Sequence, residues 1–438
     1  RCRPQAVGSG DIVMQHVKPV VLFKAPVLTQ SGYGVHARQV ARALLELADK
    51  GEIDLYIEPV RWGNTPWLLA SDGLDGLIGR IRRYVRPQET SAGRVKFTAT
   101  VQLVLPNEWT PIPGAVNIGL TAAVESDRMN PLWLPAVNSM DLVIVPSKHI
   151  EGVIRSAGDV TTQLIVVPES YPQVFNDSPV SISCQSAIAD ALDKLDTKFN
   201  FLVVGQMTSS TPQLDRKNIL GTVKTICDAF RSDSDVGIVL KTNSGRGTLI
   251  DRKNTTDRLT AFLRDVRRGP TPRVHLIHGD ISERDVATLY THPSIKAFVS
   301  LTRGEGFGLP ILEAAASKLP VIATDWGGHL DFMNMGRFIK VTYALHAVPD
   351  AKVDRAEDPK ANIWIAGSRW AQPDESNAIT ALKRFRTSPD IPKMWAEELS
   401  REVRYNNGPG VITAVYVKLF EQWIMGHARN SDGSAVAK

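Results

Sequence analysis

Short, continuously apolar runs alternate with helical patterns along most of the chain. The runs are rich in Val, Ile and Leu, and the segments between them carry apolar residues every three or four positions. Continuous apolar runs are typical of strands buried on both faces of a parallel sheet. In the first half they predict strands at Val20–Phe23, Val101–Leu105, Val116–Leu120, Leu142–Val145 and Leu164–Val167.

A second series of the same kind begins at Phe199–Val204, and a glycine follows it as well. Two consecutive series of alternating strands and helices predict an α/β fold with two doubly wound, Rossmann-like sheets. The later predicted strands are Val236–Leu240, Val274–Ile277, Ala297–Ser300 and Val321–Ala323. The predicted helices are His36–Leu47, Asn218–Phe230, Glu283–Tyr290 and Pro310–Ser317.

The same pattern divides the chain into regions. We expect an N-terminal domain over 18–190, a C-terminal domain over 198–408 and a C-terminal helix over 409–428, with Asn176–Thr197 as a polar linker. Val411–His427 has an amphipathic pattern, with an apolar face of Val415, Leu419, Trp423 and Ile424. Asp350–Asp374 is charged and irregular and is expected to decorate the second domain. Arg1–Val17 and Arg429–Lys438 are expected to be loosely ordered.

Composition narrows the class of protein. Charged residues make up 22% of the 438 residues, which is normal for a globular protein, and the net charge of +5 permits an anionic ligand without requiring nucleic acid. The three cysteines, Cys2, Cys184 and Cys227, are scattered and include no CxxC pair, which argues against a disulfide framework or a zinc site. With no apolar run of about 18 residues and no signal-peptide core, a cytoplasmic protein is expected.

The segment with the clearest chemistry is Ser300–Met333. A predicted strand ends at Ser300, a loop with three glycines follows, and a helix begins near Pro310, where proline is well tolerated. Glycines let a ligand approach the backbone, and a helix N-terminus favours an anion. Ligands of open α/β sheets bind at the carboxyl ends of the strands, where this loop lies.

Two carboxylates accompany this loop, Glu305 within it and Glu313 one turn into the helix, with seven residues between them. A carboxylate can accept hydrogen bonds from paired hydroxyls, so both suit a sugar or a ribose. Taken alone, they could also be an exposed loop acid and an acid stabilised by the helix dipole. A second strand followed by glycines, Val321–Gly328, comes directly after.

The run EGFGLPILEA followed by PVIATDWGG resembles the E-x7-E signature of retaining glycosyltransferases of the GT-B fold, family 4 type. Other segments resemble the same family: VVPESYPQVF, its interdomain segment; Gly205–Phe230; and Asn117–Ser147. The resemblance extends over most of Val20–Trp423. It implies two Rossmann-like domains facing a central cleft, with a C-terminal helix that crosses back to the N-terminal domain.

The resemblance also implies roles for individual residues. Glu313 would bind the donor ribose, Glu305 would lie against the transferred sugar, and Arg216 and Lys217 would neutralise the donor diphosphate. Further donor-binding positions are Gly306, Phe307, Gly308, Leu309, Gly205 and the loop of Gly32, Tyr33 and Gly34; Glu125 and Arg128 would lie on the acceptor side.

Two departures from the family pattern bear on these roles. Gln206 replaces the usual arginine after the first strand of the second domain, which leaves open whether Arg216 substitutes for it. Arg303 stands where a small residue is usual and adds a positive charge beside the loop. The basic pair could also be solvated loop charges, the Gly32–Gly34 loop a plain tight turn, and Glu125 a surface acid. Trp62, Trp67 and Trp133 fit either a core or a sugar-stacking role.

These features predict a glycosyltransferase that uses a nucleotide-diphosphate sugar and no other cofactor. No metal is expected, because the basic pair can stabilise the leaving diphosphate and the histidines lack metal-ligand spacing. The alternatives are a sugar-nucleotide epimerase, a phosphorylase with pyridoxal phosphate, or a catalytically inactive sugar-nucleotide-binding module. The acceptor could be a glycan, a lipid-linked glycan or modified nucleic acid. A polyanion would suit the cluster Arg80, Arg82, Arg83 and Arg86, which could equally be a solvated helix face.

Overall fold

The computed structural model describes residues 18–90, 93–183, 186–209, 211–243, 245, 247–267 and 269–426. The predicted loose ends Arg1–Val17 and Arg429–Lys438, two of the cysteines and the last residues of the predicted C-terminal helix lie outside the described residues.

Strands and helices alternate throughout the described chain. The first half comprises β1 (Val20–Ala25), α1 (Gly32–Asp49), β2 (Asp54–Pro59), α2 (Leu77–Arg83), β3 (Glu89–Thr90), β4 (Gly93–Arg94), β5 (Ala99–Leu103), β6 (Val116–Leu120), α3 (Leu134–Asn138), β7 (Leu142–Val145), α4 (Lys148–Arg155), β8 (Gln163–Val166), α5 (Pro179–Ser183) and α6 (Ala187–Asp193).

The second half comprises β9 (Phe199–Val204), α7 (Ile219–Ala229), β10 (Val236–Thr242), α8 (Leu249–Val266), β11 (Arg273–His278), α9 (Glu283–Thr291), β12 (Ile295–Ser300), α10 (Leu309–Ala316), β13 (Val321–Thr324), α11 (Leu330–Met333), β14 (Ile339–Val341), β15 (Tyr343–Ala347), β16 (Arg369–Pro373), α12 (Glu375–Thr387), α13 (Asp390–Asn406) and α14 (Pro409–Phe420).

Each half contains one six-stranded sheet, and all neighbouring strands within it are parallel. The first sheet has the order β2-β1-β5-β6-β7-β8 and the second the order β11-β10-β9-β12-β13-β14. Counted within its own half, the second order is 3-2-1-4-5-6, the doubly wound arrangement expected from the pattern of the sequence. The strand order reverses between β9 and β12, so the loops after these two strands open into one crevice.

The predicted strands were confirmed to within two residues, because runs buried on both faces leave a strong apolar signal. The edge strands β2 and β14 were missed: β2 has an intermediate pattern of burial, and β14 is only three residues long. The long helix α8 escaped notice because only Thr255 and Leu259 along it are buried.

The interpretation of Asn176–Thr197 as a linker was wrong. This stretch forms α5 and α6, and both helices pack against α9 of the second half. Ser186 caps α6 by accepting a hydrogen bond from the backbone NH of Ala189, and its hydroxyl donates to Asp285 at 2.7 Å. Short polar helices of this kind lack an apolar periodicity strong enough to read from the sequence.

The last helix, α14, packs against α1 of the first sheet, so the end of the chain returns to the N-terminal half. Its buried face contains Ile412, Tyr416 and Phe420. The predicted face was wrong at Val415, which is 38% exposed. One further turn with π-helical hydrogen bonding spans Glu421–Met425, and Ile424 within it is buried in the core of the first half, as predicted.

The region Asp350–Asp374 does more than decorate the second domain, because it packs against the first. The indole NH of Trp133 donates to the carbonyl of Lys360 at 2.7 Å. Arg369, on β16, donates to Asp127 at 2.8 Å. These contacts close one side of the cleft between the halves. Among the described residues, no helix is both long and apolar enough to cross a membrane.

Candidate functional site

The crevice at the strand reversal of the second sheet collects most of the residues that the sequence analysis selected. The loop after β9 runs from Gly205 to Asn218, and the loop after β12 runs from Leu301 to Gly308. In doubly wound sheets this is where ligands bind, because adjacent loops diverge from a reversal point and leave a crevice between them.

Asp215 organises the loop after β9. Its carboxylate accepts hydrogen bonds from the backbone NH and hydroxyl of Thr208 at 3.0 and 2.6 Å, and from the backbone NH of Ile219 at 2.9 Å. Asn218 adopts a left-handed conformation with φ of 52°, and its amide donates to the carbonyl of Leu301 at 2.9 Å. The loop that carries Arg216 and Lys217 is therefore tied to α7 and to the neighbouring loop.

The basic pair meets the loop acid in a compact charged cluster. Lys217 Nζ lies 2.5 Å from Glu305 Oε2, and Arg216 lies 3.7 Å from the same oxygen and 3.0 Å from Glu125. Arg216 also donates to the carbonyl of Gly304. Burial alone would raise the pKa of Glu305, but Lys217 and Arg216 together hold it below its usual range, so Glu305 is ionised.

Arg216 joins the two halves of the protein, because Glu125 follows β6 of the first sheet. The glycines of the Glu305 loop make this approach possible. A Cβ on Gly304 would collide with the carbonyl of Glu125, and one on Gly306 would lie 3.1 Å from Ala122. Ala123 between them has a positive φ of 43°, an uncommon conformation that is often found at ligand sites.

A second loop supports the Glu305 loop from behind. The NH of Gly328 donates to the carbonyl of Glu305 at 2.8 Å, and the hydroxyl of Ser147 donates to the carbonyl of Gly306 at 2.6 Å. A Cβ on Gly328 would overlap that same carbonyl. The orientation of Glu305 is thus set by backbone contacts from both halves.

Glu313 lies in the second turn of α10, where its carboxyl group forms no salt bridge with any of the described residues. The surrounding protein desolvates the group and raises its pKa to about 8, and the nearby acid Glu283 adds to this rise. The hydroxyl of Tyr290 lies near the carboxylate, although it makes no hydrogen bond of good geometry with any described residue. A carboxylate without a cation, beside an unpaired hydroxyl, suits a ligand that supplies hydroxyl donors.

The loop after β1 forms the opposite wall, in the first half. Ser31 caps α1 by accepting a hydrogen bond from the NH of Gly34 at 2.9 Å. Gly34 approaches the carbonyl of Thr29 too closely for a Cβ, whereas a side chain at Gly32 would meet open space. Tyr33 stacks on Trp62 with ring centroids 3.8 Å apart, and its hydroxyl lies 3.2 Å from that of Thr121.

The other selected residues differ in what they offer a ligand. The side chain of Phe307 is buried and packs on Phe332, so only its backbone faces the crevice region. Gly308 has a positive φ of 99° and precedes Leu309, the first residue of α10. Gly205 directly follows β9, and its NH donates to the carbonyl of Lys241 at 3.1 Å. Arg128 is exposed and lies 3.7 Å from its neighbour Asp127.

Arg303 is not a free charge beside the loop, contrary to the expectation from the sequence. It is 6% exposed, and its guanidinium donates to the carbonyls of Pro212 and Asp215 and to the amide oxygen of Gln372. It also lies over the ring of Trp370. Its role is structural, because these bonds join three segments of the second half. Gln206 is exposed, and Arg216 and Lys217 supply the positive charge of the cluster.

The tryptophans and the arginine cluster also have defined places. Trp133 is fully buried and belongs to the core, while Trp67 is 37% exposed. Three of the four arginines have partners within the chain: Arg80 with Asp49 at 2.6 Å, Arg82 with the carbonyl of Leu69 at 2.8 Å, and Arg86 with Asp54 at 2.7 Å.

One small cavity adjoins the crevice, and a larger one lies apart from the crevice loops. The first, of about 10 Å³, is lined by Lys217, Glu305 and Pro310. The other, of about 1040 Å³, lies between α1, α14 and Glu283 and is lined by charges of both signs. Two of its ion pairs are already formed, Lys50 with Glu46 and Arg80 with Asp49. Within the described ranges, no group of three or more His, Cys, Asp or Glu residues could hold a metal ion.

Two residues that hold the loops of the crevice were missed by the sequence analysis: Asp215 and Ser147. Asp215 directly precedes the basic pair at the start of a helix, a signal that could have marked it as a capping residue. Ser147 follows an apolar strand and caps α4 by accepting from Ile150, which is also a recognisable pattern.

Comparison with known proteins indicates the class of enzyme. Residues 269–352, which include both Glu305 and Glu313, match the family model described as glycosyl transferases group 1. This stretch is similar to that family, and the chain is a glycosyltransferase. No protein with a curated description matches the chain of this glycosyltransferase in sequence.

Solved structures share the fold of the glycosyltransferase. Sucrose-phosphate synthase from Thermosynechococcus elongatus is 14% identical, with a TM-score of 0.59 and coverage of 94% of this chain and 100% of the other. Anabaena HepE in complex with UDP and glucose is 13% identical, with a TM-score of 0.59 and coverage of 92% and 100%. A glycosyltransferase from Rickettsia africae is 14% identical, with a TM-score of 0.60 and coverage of 92% and 98%. The two Rossmann-like halves form the GT-B fold.

Proposed function

We propose that this glycosyltransferase moves a sugar from a nucleotide-diphosphate donor to an acceptor hydroxyl, with retention of anomeric configuration and without a metal. The observation that carries the proposal is the cluster of Lys217, Arg216 and Glu305 at the strand reversal of the second sheet. It combines two cations for a diphosphate with an ionised acid for sugar hydroxyls. The structure of HepE in complex with UDP and glucose supports a donor of this class.

The donor would exchange partners with this cluster. Lys217 pairs with Glu305, and a diphosphate would attract the ammonium group away from that carboxylate. Glu305 would then accept hydrogen bonds from the transferred sugar, while Glu313 would accept them from the ribose. Once the diphosphate has drawn Lys217 away from Glu305, both acids can contribute to donor specificity.

In the proposed reaction the bond between the anomeric carbon and the diphosphate oxygen breaks, and the carbon gains oxocarbenium character. Lys217 and Arg216 stabilise the charge that develops on the leaving diphosphate. The acceptor hydroxyl attacks from the same face, and its proton passes to the departing phosphate oxygen. Retention follows from attack on the face that the leaving group vacates.

The acceptor would approach from the first half, past Glu125 and Arg128. A glycan, a lipid-linked glycan and a modified nucleic acid all present a suitable hydroxyl. The internal partners of Arg80, Arg82 and Arg86 make this cluster a weaker reason for a polyanionic acceptor than its sequence suggested.

A panel of nucleotide-diphosphate sugars tests the proposal. Release of nucleotide should occur with one donor class and should accelerate with an acceptor, and the product should keep the donor's anomeric configuration by NMR. Donor binding without turnover across a broad acceptor panel would favour an inactive binding module. A rearranged sugar nucleotide without transfer would indicate an epimerase.

A further inference from the structure

Glu169 lies in the segment that connects the two halves, and its backbone is held from both sides. The side-chain amide of Gln39, on α1, accepts from the NH of Ser170 at 2.9 Å and donates to its carbonyl at 2.7 Å. Asn407, which follows α13, donates to the carbonyl of Glu169 at 3.1 Å. With its backbone held in this way, the side chain of Glu169 has a restricted direction.

The carboxyl group of Glu169 is buried without adequate partners. The residue is 6% exposed, and Oε1 lies 4.0 Å from Nδ1 of His36, which is too far for a hydrogen bond. Oε2 has no hydrogen-bond partner among the described residues. His36 is itself engaged through Nε2 with the hydroxyl of Tyr416 at 2.9 Å. A buried carboxyl oxygen without a partner destabilises the folded protein, and a ligand that supplies the partner would offset this cost.

The charged groups near Glu169 are those of the donor site. Burial raises the pKa of Glu169 to about 8, while Lys217 opposes this rise and Glu305 adds to it. Burial lowers the pKa of His36 to about 4 and raises the pKa values of Tyr33 and Tyr416. Near neutral pH, Glu169 is therefore protonated among neutral neighbours, with the ion pair of Lys217 and Glu305 within electrostatic range.

We propose that Glu169 is a third acid of the donor site, and that it binds the nucleotide sugar as a neutral carboxylic acid. Its OH donates a hydrogen bond to a diphosphate oxygen beside Lys217. This inference rests on the proposed function, since it needs a diphosphate donor. The bond strengthens as negative charge accumulates on the departing diphosphate. An ionised Glu169 would instead repel the same group, so donor affinity depends on the proton.

Calorimetric titration with UDP, GDP and ADP, at pH 7 and pH 9, tests the proposal on the full-length protein. If the protein binds only when Glu169 is protonated, the Kd of the wild type should rise between pH 7 and pH 9 by a factor about ten times larger than that of Glu169→Gln. The amide of Glu169→Gln keeps a hydrogen-bond donor at both pH values. Glu313 is present in both proteins, so its titration cancels. Glu169→Leu, which has no donor, should bind at least tenfold more weakly than wild type at pH 7.

Parallel pH dependence of wild type and Glu169→Gln, or unchanged affinity in a folded Glu169→Leu variant, would overturn the assignment. If Glu169→Leu does not fold, the comparison of wild type with Glu169→Gln still decides, because a purely structural role does not alter a pH profile. Failure of the proposed function looks different: the wild type would bind none of the nucleotides and would release none from any sugar donor.

Discussion

Lys217 and Glu305 form a partly buried ion pair, with Nζ 2.5 Å from Oε2 and the two side chains 20% and 7% exposed. The pair joins the loop after β9 to the loop after β12, where the strand order of the second sheet reverses. An anionic ligand that enters the crevice can replace Glu305 as the partner of Lys217, and Glu305 can then accept hydrogen bonds from the ligand. The pairing of these two residues therefore keeps the donor site ready without leaving either charge buried and alone.

Replacement of Lys217 by Ala should reduce kcat by about 10²–10³-fold, because it removes a cation aimed at the developing charge of the leaving group. The measurement is the rate of nucleotide release at saturating donor. Lys224→Ala is the matched control, since Lys224 lies on α7 and pairs with Asp228 and Glu375, away from the crevice. Equal rates for both variants would refute the role of Lys217.

Replacement of Glu313 by Gln should weaken donor binding by about 1–3 kcal/mol, because the amide places an NH2 group where the ribose hydroxyls need a second acceptor oxygen. Calorimetric titration of the folded variant with the donor nucleotide measures this change. Glu375→Gln provides the control, because Glu375 is an exposed acid on α12. An affinity equal to that of the control would show that Glu313 does not contact the donor.

The free energy of unfolding should fall as the pH rises from 6.5 to 8, partly because of Glu169 and Glu313. Their pKa values are raised from 4.5 to about 8 in the folded protein. Between pH 4.5 and pH 8 the folded protein holds protons on these two acids that the unfolded chain has released. Their contribution to the free energy of unfolding is therefore complete below about pH 4.5 and is lost as the pH rises through about 8.

Urea unfolding at several pH values measures this dependence. Glu169→Gln and Glu313→Gln should each show a shallower decline than wild type, and the double variant the shallowest. Comparison with wild type cancels the titration of groups common to all four proteins. An identical pH dependence in all four would contradict the raised pKa values.

The C-terminal helix should contribute to stability through its face on α1. Phe420→Ala should cost about 3–5 kcal/mol, because Phe420 is fully buried. Val415→Ala on the same helix should change stability by less than about 0.5 kcal/mol, because Val415 is 38% exposed. Denaturant unfolding of the two variants would measure the difference, and equal costs would mean that α14 is held by other contacts.

Sugar transfer should continue in the presence of EDTA, since Lys217 and Arg216 can neutralise the donor diphosphate without a divalent ion. Initial rates before and after dialysis against the chelator would check this. Loss of turnover that only Mg²⁺ or Mn²⁺ restores would show that a metal shares the work of the basic pair.

The amino-acid sequence by itself determined the two sheets and the position of the two acids in and after the loop that follows β12. Strands such as Val116–Leu120 and Phe199–Val204 were predicted with their observed bounds, because burial on both faces demands an unbroken apolar run. The spacing of Glu305 and Glu313 could be recognised from the sequence because both belong to one strand–loop–helix unit. Their separation therefore depends on local geometry alone.

Only the tertiary structure decided which distant groups meet. Glu125 reaches Arg216, Glu169 comes within electrostatic range of Lys217, and Trp133 bonds to Lys360. Each of these contacts crosses between the two halves, so it depends on how the halves pack and on glycines that permit close backbone approach. The same packing placed Arg303 in a structural network and exposed Val415, because burial is a property of the folded neighbourhood, which no short stretch of sequence contains.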